Sequence, residues 1–302
     1  MKTCLIALFL CTASLLPQAM AATPAVAGKS FQETKIEAEK GDARAQSDLG
    51  VMYESGSGVV KDEVEAVKWY RKAADQGDAR AQSDLGVMYA TGSGVVKDEV
   101  EAVKWHRKAA DAGHAVAQFR IGECYFWAIG VPKDNAEAAK WYRKAADQGY
   151  DIAQLTLGNA YMGLVQVFGR LVPKDDAEAV KWFRKAADQG NASAQYALGH
   201  MYTAGYRHSS GFFVRDDAEA AKWNRKAADQ GYARAQFALG VSYATGGGVP
   251  KDKTEAYKWY LLAEKKGDQN AKESISRIEG EITPAQRAEG QRRATEWKPQ
   301  KP

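Results

Sequence analysis

Residues 78–113 read DARAQSDLGVMYATGSGVVKDEVEAVKWHRKAADAG, and the architecture follows from this stretch because the chain repeats it. The preceding copy, 42–77, differs from it only at Glu54/Ala90, Ser55/Thr91, Tyr70/His106 and Gln76/Ala112. More divergent copies follow, and a tryptophan marks the same place in each copy: Trp69, Trp105, Trp141, Trp182, Trp223 and Trp259. Tandem units of this length are typical of a repeat protein.

The first half of each unit predicts a helix, here called helix A. In 78–113 it runs from about Ala79 to Tyr89, with apolar residues spaced at i, i+4 and i+8. A glycine-rich turn at 91–94 follows. A glycine also lies inside every helix A, at Gly50, Gly86, Gly122, Gly158, Gly199 and Gly240. Because glycine inside a helix costs about 1 kcal/mol relative to alanine, we expect a close helix approach there; a flexible hinge is the alternative.

The second half of each unit predicts helix B. Asp98 can accept the free amides of the first turn, and Glu101 can reach back to complete a capping box. The Asp-x-x-Glu pair recurs in all six units. Trp105 and the alanines around it face inward, and the helix ends at Gly113, where a left-handed residue favours glycine.

The combined motif resembles the Sel1-like repeat family. It reads Ala-x-x-Leu-Gly-x-x-Tyr, Gly-x-Gly-Val, Lys-Asp-x-x-Glu-Ala-x-x-Trp and Lys-Ala-Ala-x-x-Gly, and it covers 42–267. The resemblance implies an all-α fold: an α/α solenoid related to tetratricopeptide repeats, wound as a right-handed superhelix and used for protein–protein contacts. Family members are found among exported bacterial proteins and as adaptors. A cysteine-rich branch has been linked to penicillin binding, but its cysteine pairs are missing from this sequence.

The chain therefore divides into a leader, six repeats and helical caps. Phe31–Lys40 predicts a lone helix B, and Asn270–Glu279 predicts a lone helix A. A last helix begins at Thr283 and runs to about Trp297, which we expect to cover the final repeat. The predicted segments are 1–21 (signal peptide), 22–41 (tail and capping helix), 42–77, 78–113, 114–149, 150–190, 191–231 and 232–267 (repeats), and 268–302 (capping helices and tail).

The first residues have the pattern of an export signal. Lys2 precedes an apolar run at 4–16, and the small residues Ala19 and Ala21 fit a cleavage site after Ala21. This run is too short to span a membrane, so we expect no stable membrane insertion. The sequence therefore predicts a protein that is periplasmic or secreted, and we expect a monomer.

Composition and charge argue against a nucleic-acid binder. Lys and Arg total 42 against 38 for Asp and Glu, a net charge of only +4. The recurring Lys-Trp-x-Arg-Lys run is basic, but pairs such as Glu65–Lys68 and Lys72–Asp75 offset it within the same helix.

From the motifs in the sequence we predict no enzymatic activity, no metal and no cofactor. Ser-x-x-Lys does not occur in the sequence, and 240–244 resembles a nucleophile elbow only because it follows the helix A pattern. We interpret His106 and His114 as surface variation. A metal site formed by His200 and His208 is the alternative hypothesis. Cys124 is predicted to be a small buried side chain, with redox chemistry or a dimer disulfide as alternatives.

A protein or peptide partner is the predicted ligand, bound on the concave helix A face of repeats 3–6. One position on that face holds a large apolar residue in each of these repeats, and a second position beside it holds a different residue from repeat to repeat. The apolar residues are Phe119, Leu155, Tyr196 and Phe237, and the residues at the second position are Glu123, Asn159 and His200. Packing between neighbouring repeats is the alternative for these side chains.

Two insertions favour a contact surface in the same half of the chain. Repeats 4 and 5 carry longer loops between their helices, at 162–172 and 203–214, and these loops are rich in large apolar residues. Phe168, Tyr206, Phe212 and Phe213 are therefore added to the predicted contact residues; packing of the two loops on each other is the alternative. A cell-wall enzyme or penicillin-binding protein, and a self-assembling rod, are the other functional hypotheses.

Overall fold

The computed structural model describes residues 29–163 and 174–300. Within them the chain forms fifteen α-helices and one two-stranded hairpin. The elements are α1 Phe31–Glu39, α2 Ala43–Ser55, α3 Glu63–Asp75, α4 Ala79–Thr91, α5 Glu99–Asp111, α6 Ala115–Trp127, α7 Asn135–Asp147, α8 Asp151–Tyr161, α9 Asp176–Asp188, α10 Ala192–Ala204, β1 Tyr206–Arg207, β2 Phe213–Val214, α11 Asp217–Asp229, α12 Ala233–Thr245, α13 Lys253–Lys265, α14 Gln269–Glu279 and α15 Pro284–Glu296. The predicted leader, 1–21, lies outside the described residues.

Helices A and B alternate along the chain as the sequence predicts. The described residues fall into two compact units: an N-terminal unit of 29–153, and a C-terminal unit of 154–163 and 174–300. Within each unit a helix packs against the next helix along the chain. This arrangement of tandem helix pairs is an α/α solenoid.

Aspartate starts every helix B, as predicted. The Asp98 carboxylate accepts the backbone N–H groups of Val100 and Glu101, and each of the five equivalent aspartates accepts at least the N–H of the glutamate three residues later. The predicted capping box is wrong for these six helices. Glu101 instead pairs with Lys104 at 2.9 Å. A lysine one turn further along the helix therefore takes the carboxylate that a box would have used.

The helix A glycines lie at the closest approach between the two helices of a repeat. A Cβ built on Gly50 would lie 2.6 Å from the Tyr70 ring, and one on Gly86 would lie 2.6 Å from the His106 ring. The same contact recurs in each repeat, with Tyr142, Phe183, Asn224 and Tyr260 against their glycines. Close packing, rather than a hinge, is confirmed as the reason for these glycines.

This contact also corrects the interpretation of His106. Only 3% of its side chain is exposed, because it takes the place of Tyr70 against the glycine of its own repeat. His114 is half-buried and accepts the N–H of Ala117 at 3.3 Å through Nδ1, which caps α6. Neither histidine is surface variation.

Buried glutamines join successive repeats. Gln82 donates from Nε2 to the carbonyl of Ala74, at the end of the preceding helix B, at 3.0 Å. Gln46, Gln118, Gln195 and Gln236 make the equivalent bond. The recurrent Ala-Gln pair is thus a hydrogen-bonded link between units, a role that the spacing alone did not reveal.

The tryptophans point inward, and the basic run of helix B packs around them. Trp105 is buried, and Lys108 Nζ lies 3.9 Å from the centre of its ring. Arg71 contacts Trp105 from the preceding repeat and donates to the Tyr89 hydroxyl. These cations are engaged within their own chain.

Both helical caps are confirmed. α1 ends before Gly41, which has a φ of 98°. Thr283 and Gln286 form a capping box with Pro284 in the first turn of α15. Trp297 then contacts Trp259 with ring centres 6.3 Å apart, covering repeat 6 as predicted.

One element was not predicted: the inserted loop of repeat 5 forms a β-hairpin. Tyr206 pairs with Val214 and Arg207 pairs with Phe213. Alternation along a strand places Tyr206 inward against Tyr202, with ring centres 5.7 Å apart. No helix among the described residues is long and apolar enough to cross a membrane.

Candidate partner-binding surface

The predicted contact residues of repeats 4–6 lie in the C-terminal unit. α8, α10 and α12 are the helices A of these repeats, and they carry the same two positions in register. The first position holds Leu155, Tyr196 and Phe237, which are all half-buried. The second position holds Asn159, half-buried, and His200 and Val241, both exposed. Each helix thus offers one partly buried apolar group and one accessible group beside it.

The apolar groups at the first position also pack within the protein. Tyr196 contacts Tyr232 with ring centres 5.5 Å apart, and Phe237 contacts Tyr260 at 5.7 Å. Leu155 packs at the edge of the buried cluster of repeats 4 and 5. Their half-buried state holds these side chains in fixed positions while part of each remains accessible to solvent.

Repeat 3 differs, because Phe119 is a core residue. It is buried between Tyr142 and Tyr150, with ring centres 5.1 and 5.4 Å away. Glu123 is half-buried and pairs with Arg120 at 3.2 Å. The Phe119 ring is therefore covered by packing within the N-terminal unit, and it is not one of the contact residues proposed below.

The hairpin of repeat 5 exposes two adjacent aromatic residues. Phe212 is 74% exposed and Phe213 is 69% exposed. The backbone N–H of His208 donates to the carbonyl of Phe212 at 2.8 Å, and the N–H of Gly211 donates to the carbonyl of His208 at 2.8 Å. These bonds fix the tip on which Phe212 lies.

The other loop residues do not join this tip. Tyr206 was predicted as a contact residue but is buried, because its position in β1 points inward. Phe168 lies outside the described residues. The C-terminal unit therefore presents Phe212 and Phe213 on the hairpin and the second-position residues of its helices A.

An open polar pocket of about 390 Å³ lies at the base of the hairpin. It is lined by Lys174, Asp175 and Asp176 on one side and Arg207, His208 and Ser209 on the other. His208 Nδ1 is 2.7 Å from the Ser210 hydroxyl. A mixed set of charges beside exposed aromatic rings is typical of the rim of a protein-binding surface.

The described residues contain no group of three His, Cys, Asp or Glu side chains placed to hold a metal ion. Cys124 is buried as predicted, and burial raises the pKa of its thiol to about 12. A thiol in this state stays protonated at neutral pH and is a poor nucleophile.

Sequence reasoning missed a row of charges on the helices A of the N-terminal unit. Arg80 lies 3.1 Å from Asp48 and 3.8 Å from Asp84, and all three side chains are largely buried. Burial raises the pKa of Asp84 to about 7. The sequence carries a signal for this row of charges. The same helix A position is Asp48 and Asp84 in repeats 1 and 2, Arg120 in repeat 3 and uncharged in repeats 4–6.

Tandem helix A–helix B pairs, a capping aspartate and an internal glycine in every pair define the class as α/α solenoids. The family model for the Sel1 repeat matches six consecutive segments of the chain: 43–78, 79–114, 115–150, 156–191, 192–232 and 233–268. The chain therefore belongs to the Sel1 repeat family.

Known proteins resemble the chain to different extents. A Sel1 repeat protein from Oxalobacter formigenes is 32% identical; the match covers 80% of this chain and all of that structure, with a TM-score of 0.63. A protective antigen of uropathogenic Escherichia coli that displays an SLR fold is 26% identical over 88% of this chain and 78% of its own, with a TM-score of 0.40.

A curated relative matches over a shorter stretch. It is the secretory immunoglobulin A-binding protein EsiB of Escherichia coli O6:H1 (strain CFT073), which is 36% identical over 55 residues. The match covers 18% of this chain and 11% of the relative. The chain thus spans about a tenth of the length of the curated relative it matches.

Proposed function

We propose that this protein is an exported, non-enzymatic scaffold that binds a protein or peptide partner through its C-terminal unit. The observation that carries the proposal is the hairpin tip, where Phe212 and Phe213 are exposed side by side on a hydrogen-bonded turn. Exposed aromatic pairs are costly in water and are enriched at protein interfaces. The partner-binding surface comprises Phe212, Phe213, His200, Asn159, Tyr196, Phe237 and Leu155.

The family supports a binding role. Solenoids of helix pairs present extended surfaces built from equivalent positions of successive repeats. The relative EsiB is named for binding secretory immunoglobulin A, which is itself a protein. For this chain we propose the class of partner, which is a folded protein or a peptide, and the unit that binds it, which is the C-terminal unit.

Site-specific photo-crosslinking tests the placement of the surface. The full chain would carry p-benzoylphenylalanine at position 212 and be irradiated in intact source cells. We expect a discrete cross-linked protein, because an interface aromatic residue lies against its partner. The matched control carries the same amino acid at Val96, which is 85% exposed in the N-terminal unit. Equal cross-linking of the same protein from both positions would contradict the placement.

Export is tested by the mass of the released protein. The full chain expressed in a bacterium should appear outside the cytoplasm with its N-terminus at Ala22, since the residues before it fit a cleavage site. Leu8→Arg interrupts the apolar run and should retain the uncleaved protein in the cytoplasm. Release of the uncleaved chain, or identical processing of the variant, would contradict export by a signal peptide.

A further inference from the structure

Repeats 1 and 2 are nearly identical, and two of their four differences meet in space. In repeat 1 the Tyr70 hydroxyl donates to the Glu54 carboxylate at 2.6 Å. In repeat 2 the same two positions hold His106 and Ala90. The exchange shortens both side chains and removes a hydrogen-bonded pair from the same point of the repeat.

A pocket of about 40 Å³ occupies that point in repeat 2. Ala90 and His106 both line it, together with Val87, Ala102, Cys124 and Ile129, and the ion pair of Arg120 and Glu123 also borders it. The pocket is mostly apolar and open to solvent on one side. Its volume has room for about three water-sized groups.

His106 is an unpaired polar group in the wall of this pocket. Its Nδ1 atom is buried without a hydrogen-bond partner, and only 3% of the residue is exposed. Its Nδ1–Cε1 edge lies over Gly86, as the Cδ1–Cε1 edge of Tyr70 lies over Gly50. Nε2 is therefore the ring nitrogen nearer to the volume that the tyrosine ring and hydroxyl fill in repeat 1.

The charges around the pocket balance. Arg120 and Glu123 neutralise each other at 3.2 Å. Burial lowers the pKa of His106 to about 3 and raises that of Cys124 to about 12, so both are uncharged at neutral pH. A charged ligand would lose its hydration without a free counter-charge, whereas an uncharged ligand avoids that cost.

We propose that the pocket between Ala90 and His106 binds a small uncharged group consisting of a hydroxyl on a short aliphatic body. A hydroxyl both donates and accepts, so it matches a neutral imidazole in either tautomer. The aliphatic part covers the apolar wall, and the whole group, hydroxyl included, has about three to four heavy atoms, as in a threonine side chain or isopropanol. The site is formed by residues of the N-terminal unit, and the partner-binding surface by residues of the C-terminal unit.

Uniform ¹⁵N labelling of the full chain, read at the histidine rings and at the backbone amides, tests the site by NMR. Titration with isopropanol should shift the His106 ring signals, and the amide of Gly86, along a saturating curve. His114, His200 and His208 report in the same spectrum and should change only linearly, as in a solvent effect. Isobutyrate has the same branched body with a negative charge and should give no saturating shift. A saturating response to isobutyrate, or a linear response of His106 to isopropanol, would overturn the proposal.

Two variants fill the pocket in different ways. Ala90→Leu adds apolar volume and retains the His106 reporter, whereas the double variant Ala90→Glu/His106→Tyr installs the pair that repeat 1 already accommodates. Both should abolish the saturating shift of Gly86, and dispersed amide signals show that each variant is folded. Undiminished binding in either folded variant would contradict the pocket as the site.

A final arm distinguishes a free alcohol from a side chain. N-acetylthreoninamide presents the same hydroxyl on a peptide unit. Saturation at a lower concentration than isopropanol indicates a polypeptide source, and saturation at a higher concentration indicates a free small molecule. If isopropanol gives no saturating shift, the proposal is overturned whichever way the peptide probe responds.

Discussion

At the scale of single residues, the stability of the links between repeats depends on whether each buried glutamine has hydrogen-bond partners for both its Nε2 and its Oε1 atoms. Gln76 donates to Gln46 Oε1 at 2.7 Å, and Gln148 donates to Gln118 Oε1 at 2.7 Å. Repeat 2 has Ala112 in the donor position, and there the Gln82 Oε1 atom is buried without a partner. A buried carbonyl oxygen without a donor lowers stability.

Replacing Ala112 with Gln should therefore stabilise the protein. The new Nε2 group would donate to Gln82 Oε1, as Gln76 does to Gln46, and the free energy of unfolding should rise by about 1 kcal/mol. Urea unfolding followed by circular dichroism measures the change. Ala112→Met, with a similar side-chain length and no donor, is the control. An equal gain from Met would show that apolar contact rather than the hydrogen bond is responsible.

The buried His106 should make the protein less stable in acid. Burial, with smaller contributions from Arg120 and His114, lowers its folded pKa from 6.5 to about 3. Below pH 6.5 the unfolded chain binds a proton that the folded chain does not, so this contribution to stability is complete above 6.5 and is lost as the pH falls towards 3.

Replacing His106 with Phe removes this titration, and Phe183 shows that the ring fits against the glycine of a repeat. Relative to the wild type, the folding equilibrium constant of the variant should rise about tenfold per pH unit below 6.5. Urea unfolding of both proteins from pH 7.5 to pH 4.5 measures this ratio. A ratio that does not change with pH would show that His106 binds its proton equally well in the folded and the unfolded chain.

At the scale of elements, the last helix protects the open end of repeat 6. Trp297 follows α15 and packs on Trp259 and on the buried cluster of repeat 6. Trp297→Ala should lower the free energy of unfolding by about 2 kcal/mol, less than for a fully buried tryptophan because the side chain is only half-buried. Thermal unfolding measures the loss. Trp127→Ala, at a site that is 48% exposed, should cost less; equal losses would contradict a capping role.

The elements that the sequence predicted are those whose signals are local and repeated. Asp98 and its equivalents begin each helix B, and Gly86 and its equivalents set the distance between the two helices. The hairpin was missed because its strands are two residues long, too short for a readable alternation. The burial of Tyr206 follows from that hairpin, so it was missed as well.

The candidate sites were less predictable because they depend on contacts between positions that are distant in sequence. The sequence alone suggests that the change from Tyr70 to His106 is surface variation, but in the structure this position faces Gly86. Phe119 was grouped with Tyr196 by register, yet Tyr142 and Tyr150 enclose it in repeat 3. Equivalent positions thus share a helix face, and the neighbours decide which of them remain exposed.

At the scale of the whole molecule, near-identity of two repeats makes one of them dispensable for folding. Deleting residues 78–113 would place helix B of repeat 1 against repeat 3. Gly130 packs closely on the Glu99 carbonyl and on Val103, and repeat 1 supplies Glu63 and Val67 at the same positions. These two contacts of repeat 3 are therefore retained.

We expect this deletion variant to be folded, helical and cooperative on unfolding, with a lower midpoint because a repeat array loses stability as it loses interfaces. Circular dichroism and urea unfolding check both points. Deleting residues 88–121 instead joins Val87 to Gly122 inside helix A, which puts the two halves of that helix two residues out of phase, and should give an unfolded or aggregated N-terminal unit. Equal behaviour of the two deletions would show that repeat phase does not govern packing. Non-cooperative unfolding of the in-phase variant would show that repeat 2 makes contacts with repeat 3 that repeat 1 cannot replace.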